Sequence, residues 1–231
     1  GEPIVNKRWS DKQKQIIRDS RIGITQQISE AIKACSTPPH TFISGSAVGF
    51  YGRQNSNTID ETCENPHDEF SHQLCKDWEN AALLAQSEQT RVCLLRTGIV
   101  LAKKGGALSK MLPAFKLCLG GPIGDGEQGM SWIHIDDMIQ LILFIIRHPE
   151  ISGPVNATAP NPVSNAQFSK SLGEALSRPA FIPMPTVVLK LLMGEMSDLL
   201  TTGQFVVPKK VLAHNYRFHH PDIKSALESL V

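Results

Sequence analysis

Arg91-Val92-Cys93-Leu94-Leu95 is a nearly continuous apolar run, the pattern of a strand covered on both faces, as in a parallel sheet flanked by helices. Outward from it, helix and strand signals alternate. Glu69 to about Ala85 reads as a helix, and before it Thr41-Phe42-Ile43 reads as a short buried strand entering a small-residue turn, Ser44-Gly45-Ser46-Ala47. The polar stretch from Arg53 to Asp68 has no period and is expected to be a surface loop. Farther upstream, Ser10 or Asp11 can cap a long helix to about Cys35. Ile16, Ile17, Ile24, Ile28 and Ile32 mark its buried face, and Thr37-Pro38-Pro39 stops it.

On the downstream side a helix spans Leu108 to about Leu117, Gly120 to Gly126 is a loop, and Trp132-Ile133-His134-Ile135 is a strand. The Asp136-Asp137 pair opens a helix ending near His148, and Val155-Asn156-Ala157 is a further strand. Helices near Asn165–Leu176, Val187–Met193 and Asp222–Leu230 complete the chain. Alternation through residue 160 predicts an α/β fold with a parallel sheet and helices on both faces. The more helical remainder reads as a second lobe. The expected division is 1–102 with 131–160 for the sheet part, and 103–130 with 161–231 for the lobe.

Composition narrows the function classes. The 231 residues are 41% hydrophobic and 19% charged, with 23 Lys plus Arg against 22 Asp plus Glu. A near-neutral, mixed surface carries no electrostatic footprint for nucleic acid or an anionic membrane, so neither partner is expected. Cys35, Cys63, Cys75, Cys93 and Cys118 are scattered, with no Cys-x-x-Cys, which reads as reduced thiols in a cytoplasmic protein. The apolar stretch Met138 to Ile146 is far shorter than the ~20 residues that span a bilayer and is expected to be a buried helix. Gly1-Glu2-Pro3 is no signal peptide. With Ile4 it reads like a loop leaving a strand, so the natural beginning is expected to lie upstream.

A dinucleotide fingerprint needs glycines between a strand and a helix, so that N–H groups at the helix start can hold a pyrophosphate. Gly120-Gly121-Pro122-Ile123-Gly124-Asp125-Gly126 is followed by a strand and contains a proline without a donor, so it is rejected. His134, Asp136 and Asp137 lack spaced His or Cys partners; the carboxylates are expected to cap a helix, and no metal is expected. Trp78 and Trp132 have apolar neighbours and read as core.

Four segments in order carry a family resemblance. Ile43-Ser44-Gly45-Ser46-Ala47-Val48-Gly49-Phe50-Tyr51-Gly52 is similar to the S-S-S-A-x-V-Y-G segment of extended short-chain dehydrogenases/reductases, with one residue inserted. Leu95-Arg96-Thr97-Gly98-Ile99-Val100 resembles their L-R-P-x-N-V-Y turn. Trp132 to Asp137 resembles F-x-H-V-D-D, and Gly153-Pro154-Val155-Asn156 resembles G-x-x-N. Within that superfamily the chain resembles the NAD-dependent epimerase/dehydratase-like, YfcH-type epimerase-family proteins. Their N-L-A-G-E-P-I opening resembles Gly1-Glu2-Pro3-Ile4, and their G-Q-x-x-x-P-x-x tail resembles the stretch from Gly203 to Lys210.

The resemblance implies a Rossmann-like sheet that opens at its fourth strand, with the glycine fingerprint upstream of Gly1. It implies NADP as cofactor, a small-molecule substrate, and an epimerase-like oxidoreduction on a sugar nucleotide. Ser46 would be the catalytic serine, and its bland reading is an ordinary turn hydroxyl. The cofactor-facing set would be Gly1, Glu2, Arg21, Ser44, Thr97, Gly98 and Ile99. Arg21 takes a helix position where relatives carry Asn. It could hold a phosphate or carboxylate, or be a surface arginine.

One departure stands out: the family's Tyr-x-x-x-Lys is absent. It would fall within Glu69–Lys76, where one register offers Phe70 and Leu74, the other Ser71 and Cys75. His72 and Lys76, at i and i+4, are a substitute pair that could face the cofactor, or simply a solvated helix face. The rival reading is therefore a non-catalytic NADP-binding or regulatory protein that kept the fold.

Overall fold

The computed structural model describes residues 1–231. Helix α1 (Asp11–Ala34) leads to strand β1 (Thr41–Ala47), a short 3-10 turn (Val48–Tyr51), β2 (Thr58–Ile59), α2 (Phe70–Leu83), β3 (Arg91–Thr97) and β4 (Ile99–Leu101). Then come α3 (Gly106–Lys116), β5 (Gly129–Met130), β6 (Trp132–His134), α4 (Ile135–Arg147), β7 (Gly153–Ala157), β8 (Val163–Ser164) and α5 (Asn165–Leu176). The tail holds α6 (Thr186–Met193), α7 (Asp198–Thr201), β9 (Phe205–Val206), α8 (Lys209–Ala213) and α9 (Ile223–Glu228).

A parallel sheet of order β1-β3-β7 is the frame. Alternation along β3 assigns its two faces. Val92 and Leu94 pack with Ala82 and Ala85 at the end of α2, while Cys93 and Leu95 pack with Leu141 and Ile145 of α4. Both faces are thus covered by helices, as the apolar run predicts. No helix is long and apolar enough to cross a membrane, and all five cysteines are free.

Three expectations are corrected. Ser44 to Ala47 is strand: parallel pairing with β3 continues to Ala47 opposite Thr97, and the turn begins at Val48. On α1, Ile17 is buried, but Ile16, Ile24 and Ile28 are exposed; the inward stripe is Gln13, Ile17, Thr25 and Ser29. Small polar side chains win that face because they bond across it. Ser29 Oγ donates to the Ala81 carbonyl at 2.8 Å, and Thr25 Oγ1 accepts from Trp78 Nε1 at 2.9 Å. On α4 only one face is buried, leaving Ile139, Leu143 and Ile146 exposed.

A second core lies beneath α3, α5 and α9, where Leu108, Phe115, Trp132, Phe168, Leu172 and Leu227 meet. The tail returns to the sheet. β9 pairs with β2, and Gly203 passes so close to Gly129 that a Cβ there would stand 2.0 Å from the Gly129 carbonyl oxygen.

Candidate functional site

The carboxyl ends of β1, β3 and β7 converge, with Ser46 opposite Arg96 and Arg96 opposite Asn156. Glu79, on the sheet-facing side of α2, organises this end. Its Oε1 accepts from Ser46 Oγ at 2.7 Å and Arg96 Nε at 2.8 Å, and its Oε2 accepts from Arg96 Nη2 at 2.9 Å. Arg96 Nη1 donates to the Tyr51 hydroxyl at 3.1 Å, which donates to Asn156 Oδ1 at 2.7 Å. The guanidinium carbon also lies 3.4 Å from the centre of the Phe50 ring. Ser46, Glu79 and Arg96 are each about 5% exposed or less, and Tyr51 and Asn156 are fully buried.

Burial shapes the titration of this group. It pulls the Arg96 guanidinium down, but the bonds to Glu79 outweigh it, and Arg96 sits above its ordinary value. The Tyr51 hydroxyl is pushed up to about 12, first by burial. The chain's other tyrosine, Tyr216, is also raised by burial and then by Asp137, and its hydroxyl donates to the Asp137 carbonyl. Neither tyrosine is tuned to release a proton near neutral pH.

The register of α2 is now visible. A Cβ on Gly49 would meet Ser71 Cβ at 3.3 Å and Cys75 Sγ at 3.7 Å, so Ser71 and Cys75 face the end of β1. Burial first, then the charge of Glu79, drives the Cys75 thiol up to about 12. The thiol is therefore held neutral beside the end of β1. The substitute pair is corrected: His72 is buried with Nδ1 against the Phe50 carbonyl, while Lys76, one turn on, is exposed.

The remaining candidates fall into two groups that meet at Trp78. Gly1, Glu2 and Arg21 form one. Arg21 Nη1 donates to the Glu2 carbonyl at 3.1 Å and the Ile17 carbonyl at 3.2 Å, and its guanidinium lies 5.6 Å from the Trp78 ring. Arg21 is held below its ordinary value by burial. Gly45 also meets the indole, so close that a Cβ would stand 3.0 Å from the ring. The second group is Ser44, Ser46, Thr97, Gly98 and Ile99 at the ends of β1 and β3. Ser44 is buried opposite Leu94, and Thr97 Oγ1 donates to its neighbour, the Leu95 carbonyl. Gly98 has a packing reason: a Cβ would stand 2.5 Å from the Ser131 carbonyl oxygen, while Ile99 N donates to that same oxygen.

Beside the strand ends lies a cavity of about 590 Å³ between the sheet part and the tail. Of the candidates, only Ile99 lines it. Its other walls come from Val48 and Gly49 after β1, Ser71 at the start of α2, Met111 of α3, and Ser131. Ser131 Oγ donates to the Gln204 carbonyl and accepts from Val206 N, tying the tail to the wall. Sequence reasoning missed Glu79 and this wall. A signal for Glu79 existed: an acid on the stripe of Leu74, Cys75, Ala81 and Ala82 must be buried, and a buried carboxylate needs a cation.

At β6, His134, Asp136 and His220 offer ligand atoms within 4.8 Å of one another. The two imidazoles are engaged with each other, and the Asp136 carboxylate is exposed. His134 is the N-cap of α4, its Nδ1 accepting from Asp136 N at 3.1 Å, and its ring stacks on His220 at 3.8 Å. Capping therefore falls to His134, two residues before the expected pair. The buried Asp137 carboxylate accepts instead from the backbone N–H groups of His219 and His220.

Comparison with known proteins agrees with this geometry. Residues 3–157 match the model of the NAD dependent epimerase/dehydratase family, and residues 184–230 match a domain of unknown function, DUF1731. An epimerase family protein of Mycobacterium leprae is 42% identical over 98% of this chain and 73% of its own length. A chloroplastic homologue of epimerase family protein SDR39U1 from Arabidopsis thaliana is 38% identical over the whole chain and 66% of its own length. The crystal structure of human epimerase family protein SDR39U1 with NADPH superposes with a TM-score of 0.95 at 34% identity, over 100% of this chain and 79% of that one. UDP-glucuronic acid 4-epimerase from Bacillus cereus shares the fold alone, at a TM-score of 0.73 and 17% identity, over 95% of this chain and 67% of that one. With the strand-end geometry, the ordered motifs and these matches in agreement, the chain belongs to the NAD dependent epimerase/dehydratase family.

Proposed function

We propose that the chain carries the substrate-facing part of an NADP-dependent oxidoreductase, with the nicotinamide beside the turn Thr97–Ile99. The observation that carries this reading is the cavity at the carboxyl ends of parallel strands, onto which Ile99 opens; open α/β sheets bind their ligands there. NADP is supported by the NADPH bound to the human relative. On this reading the cleft lies between a nucleotide-holding part (1–102, 131–160) and a substrate lobe (103–130, 161–231). Five free cysteines are consistent with a cytoplasmic enzyme. NADP would supply the hydride chemistry, and the chain's own residues would bind, orient and exclude water.

Ser46 is the candidate for holding the substrate oxygen, and Glu79 sets its terms. A hydroxyl already donating to Glu79 keeps lone pairs free, so Ser46 can accept from a substrate hydroxyl without leaving its partner. Gly1, Glu2, Arg21 and Ser44 are the candidates for the cofactor's flank, with Thr97 and Gly98 shaping the turn. A sugar nucleotide is the substrate that family likeness suggests for an epimerase-like reaction. The rival reading, an NADP-binding or regulatory protein without turnover, is favoured by Ser71 and Cys75 at the Tyr and Lys positions.

The test is a fluorescence titration of the full-length protein with NADPH, followed by transfer of deuterium from labelled NADPH to a panel of carbonyls and sugar nucleotides. Turnover that Ser46→Ala reduces at least tenfold establishes the enzyme. Tight NADPH binding with no transfer to any substrate establishes the rival, and absence of NADPH binding overturns both.

A further inference from the structure

We infer that the cavity takes an uncharged, mainly apolar carbonyl compound and disfavours a sugar nucleotide. The inference rests on the oxidoreductase reading for its chemistry, but the cavity lining alone carries the substrate class.

A nucleoside diphosphate brings two adjacent phosphates and needs cations, N–H groups or a metal to meet them. The charged residues lining the cavity are Arg53, Lys110, Glu69, Glu195 and Asp198, three carboxylates to two cations. Arg53 is already paired, its Nε with Glu69 at 3.0 Å and its Nη2 near Asp198 at 3.5 Å. Lys110 Nζ donates to Asn6 Oδ1 at 3.3 Å. The polar groove that shares Arg53 and Gln128 with the cavity adds Asp125 and Glu127, with His67 as its one further basic side chain. Glu195 is paired with Lys14 Nζ at 2.6 Å, so a phosphate in the cavity meets paired charges and no cluster of free cations, and one entering by the groove meets an excess of negative charge. The feature favouring an anion is the start of α3, which opens on the cavity at Ala107; the lysines just before it, Lys103 and Lys104, do not line the space.

The rest of the lining suits an apolar body. Met111, Met130 and Met193 meet there with Trp9, Leu199 and Leu200. Thioether side chains adapt to ligands of varied outline. Gln128 belongs to the wall. Its Nε2 donates to the carbonyls of Ile123 and Leu200, and its Oε1 is buried in the protein, so it makes no demand on a ligand. The fitting class is a neutral ketone of drug-like size. In the reaction its carbonyl carbon would take the hydride, with its electron pair, from reduced nicotinamide, and its oxygen a proton from water, leaving the alcohol, oxidised nicotinamide and a hydroxide that passes to solvent.

Binding can be measured without turnover, by calorimetry on the NADP-loaded protein at pH 6.5. The probes are 4′-hydroxyacetophenone, its methyl ether, and UDP-glucose. The hydroxyketone should bind at least tenfold tighter than UDP-glucose, with an affinity that moves less than twofold between 50 and 300 mM salt, both figures being on the order expected for neutral binding. The methyl ether should bind within about threefold of the hydroxyketone, because apolar contact carries the affinity. Met111→Trp, filling the cavity, should abolish ketone binding at an unchanged melting temperature, and Met111→Ala should retain it if the Trp variant unfolds. UDP-glucose binding tighter, or no ketone binding at all, overturns the inference. Ketone binding without deuterium transfer leaves it standing and overturns only the oxidoreductase reading.

Discussion

The ends of the sheet and the cavity beside them are built on opposite rules. At the strand ends five buried polar side chains answer one another: Ser46, Arg96, Glu79, Tyr51 and Asn156 form one continuous chain of hydrogen bonds. In the cavity the walls are largely apolar, and Arg53 pairs with Glu69 and Asp198 at its edge. The family's motifs run through the first region and reach the second only at their ends: Val48, Gly49, Ile99, Gly203 and Gln204 line the cavity. Motif residues here hold three strands in register, while the apolar body of the lining, Trp9, Met111, Met130, Met193, Leu199 and Leu200, lies outside every motif. A motif match in this chain therefore speaks to the frame before it speaks to the outline of the cavity.

The largest expected effect tests whether the strand-end network is structural. Glu79→Ala leaves the Arg96 guanidinium buried without its counter-charge, a change that costs roughly 3–5 kcal/mol. At this chain length that lowers the melting temperature by on the order of 10 °C. Replacing Glu79 and Arg96 together with Leu should cost less than the sum of the two single changes, because no unpaired charge remains. Equal or additive losses, read by thermal denaturation, would mean that the pair contributes little to the frame.

A smaller effect tests the joint between the two regions. Gly98→Ala drives a methyl group against the Ser131 carbonyl, whose residue lines the cavity and ties down Gln204 and Val206. Overpacking of this kind costs about 1–3 kcal/mol. Ketone affinity should fall in the same variant, because the wall moves with Ser131. A stable variant with unaltered binding would show that the turn and the wall are independent.

Legibility in the sequence followed the same division. The apolar run at Arg91 predicts a strand covered on both faces, and Val92 and Cys93 indeed face opposite helices. Helix α5 agrees end for end with Asn165–Leu176, since Ser164 and Gln167 form a capping box, a purely local signal. Side-chain direction was less legible. The isoleucines of α1 outnumber its small polar residues, yet Thr25 and Ser29 face α2, because close approach and two cross-helix hydrogen bonds decide that packing. The site was least legible of all. Met111, Met130 and Met193 lie on three separate segments, and only the return of the tail over Gly129 brings their surroundings together.

The smallest effect separates two serines that sequence alone cannot rank. Ser46 and Ser71 are both nearly buried, and each donates a 2.7 Å hydrogen bond to a glutamate. Glu79 stands in the dry network, however, while Glu69 is bonded to Arg53 at the cavity's edge. Ser46→Ala removes a charge-assisted bond in the network and should cost about 1.5–3 kcal/mol. In Ser71→Ala, water entering the cavity can replace the lost donor, so the cost should stay below about 1 kcal/mol. Urea denaturation of both variants at neutral pH measures the difference. If Ser71→Ala is the more damaging, the wall belongs to the frame, and the division between a rigid strand end and an adaptable cavity fails at the residue where the two come closest.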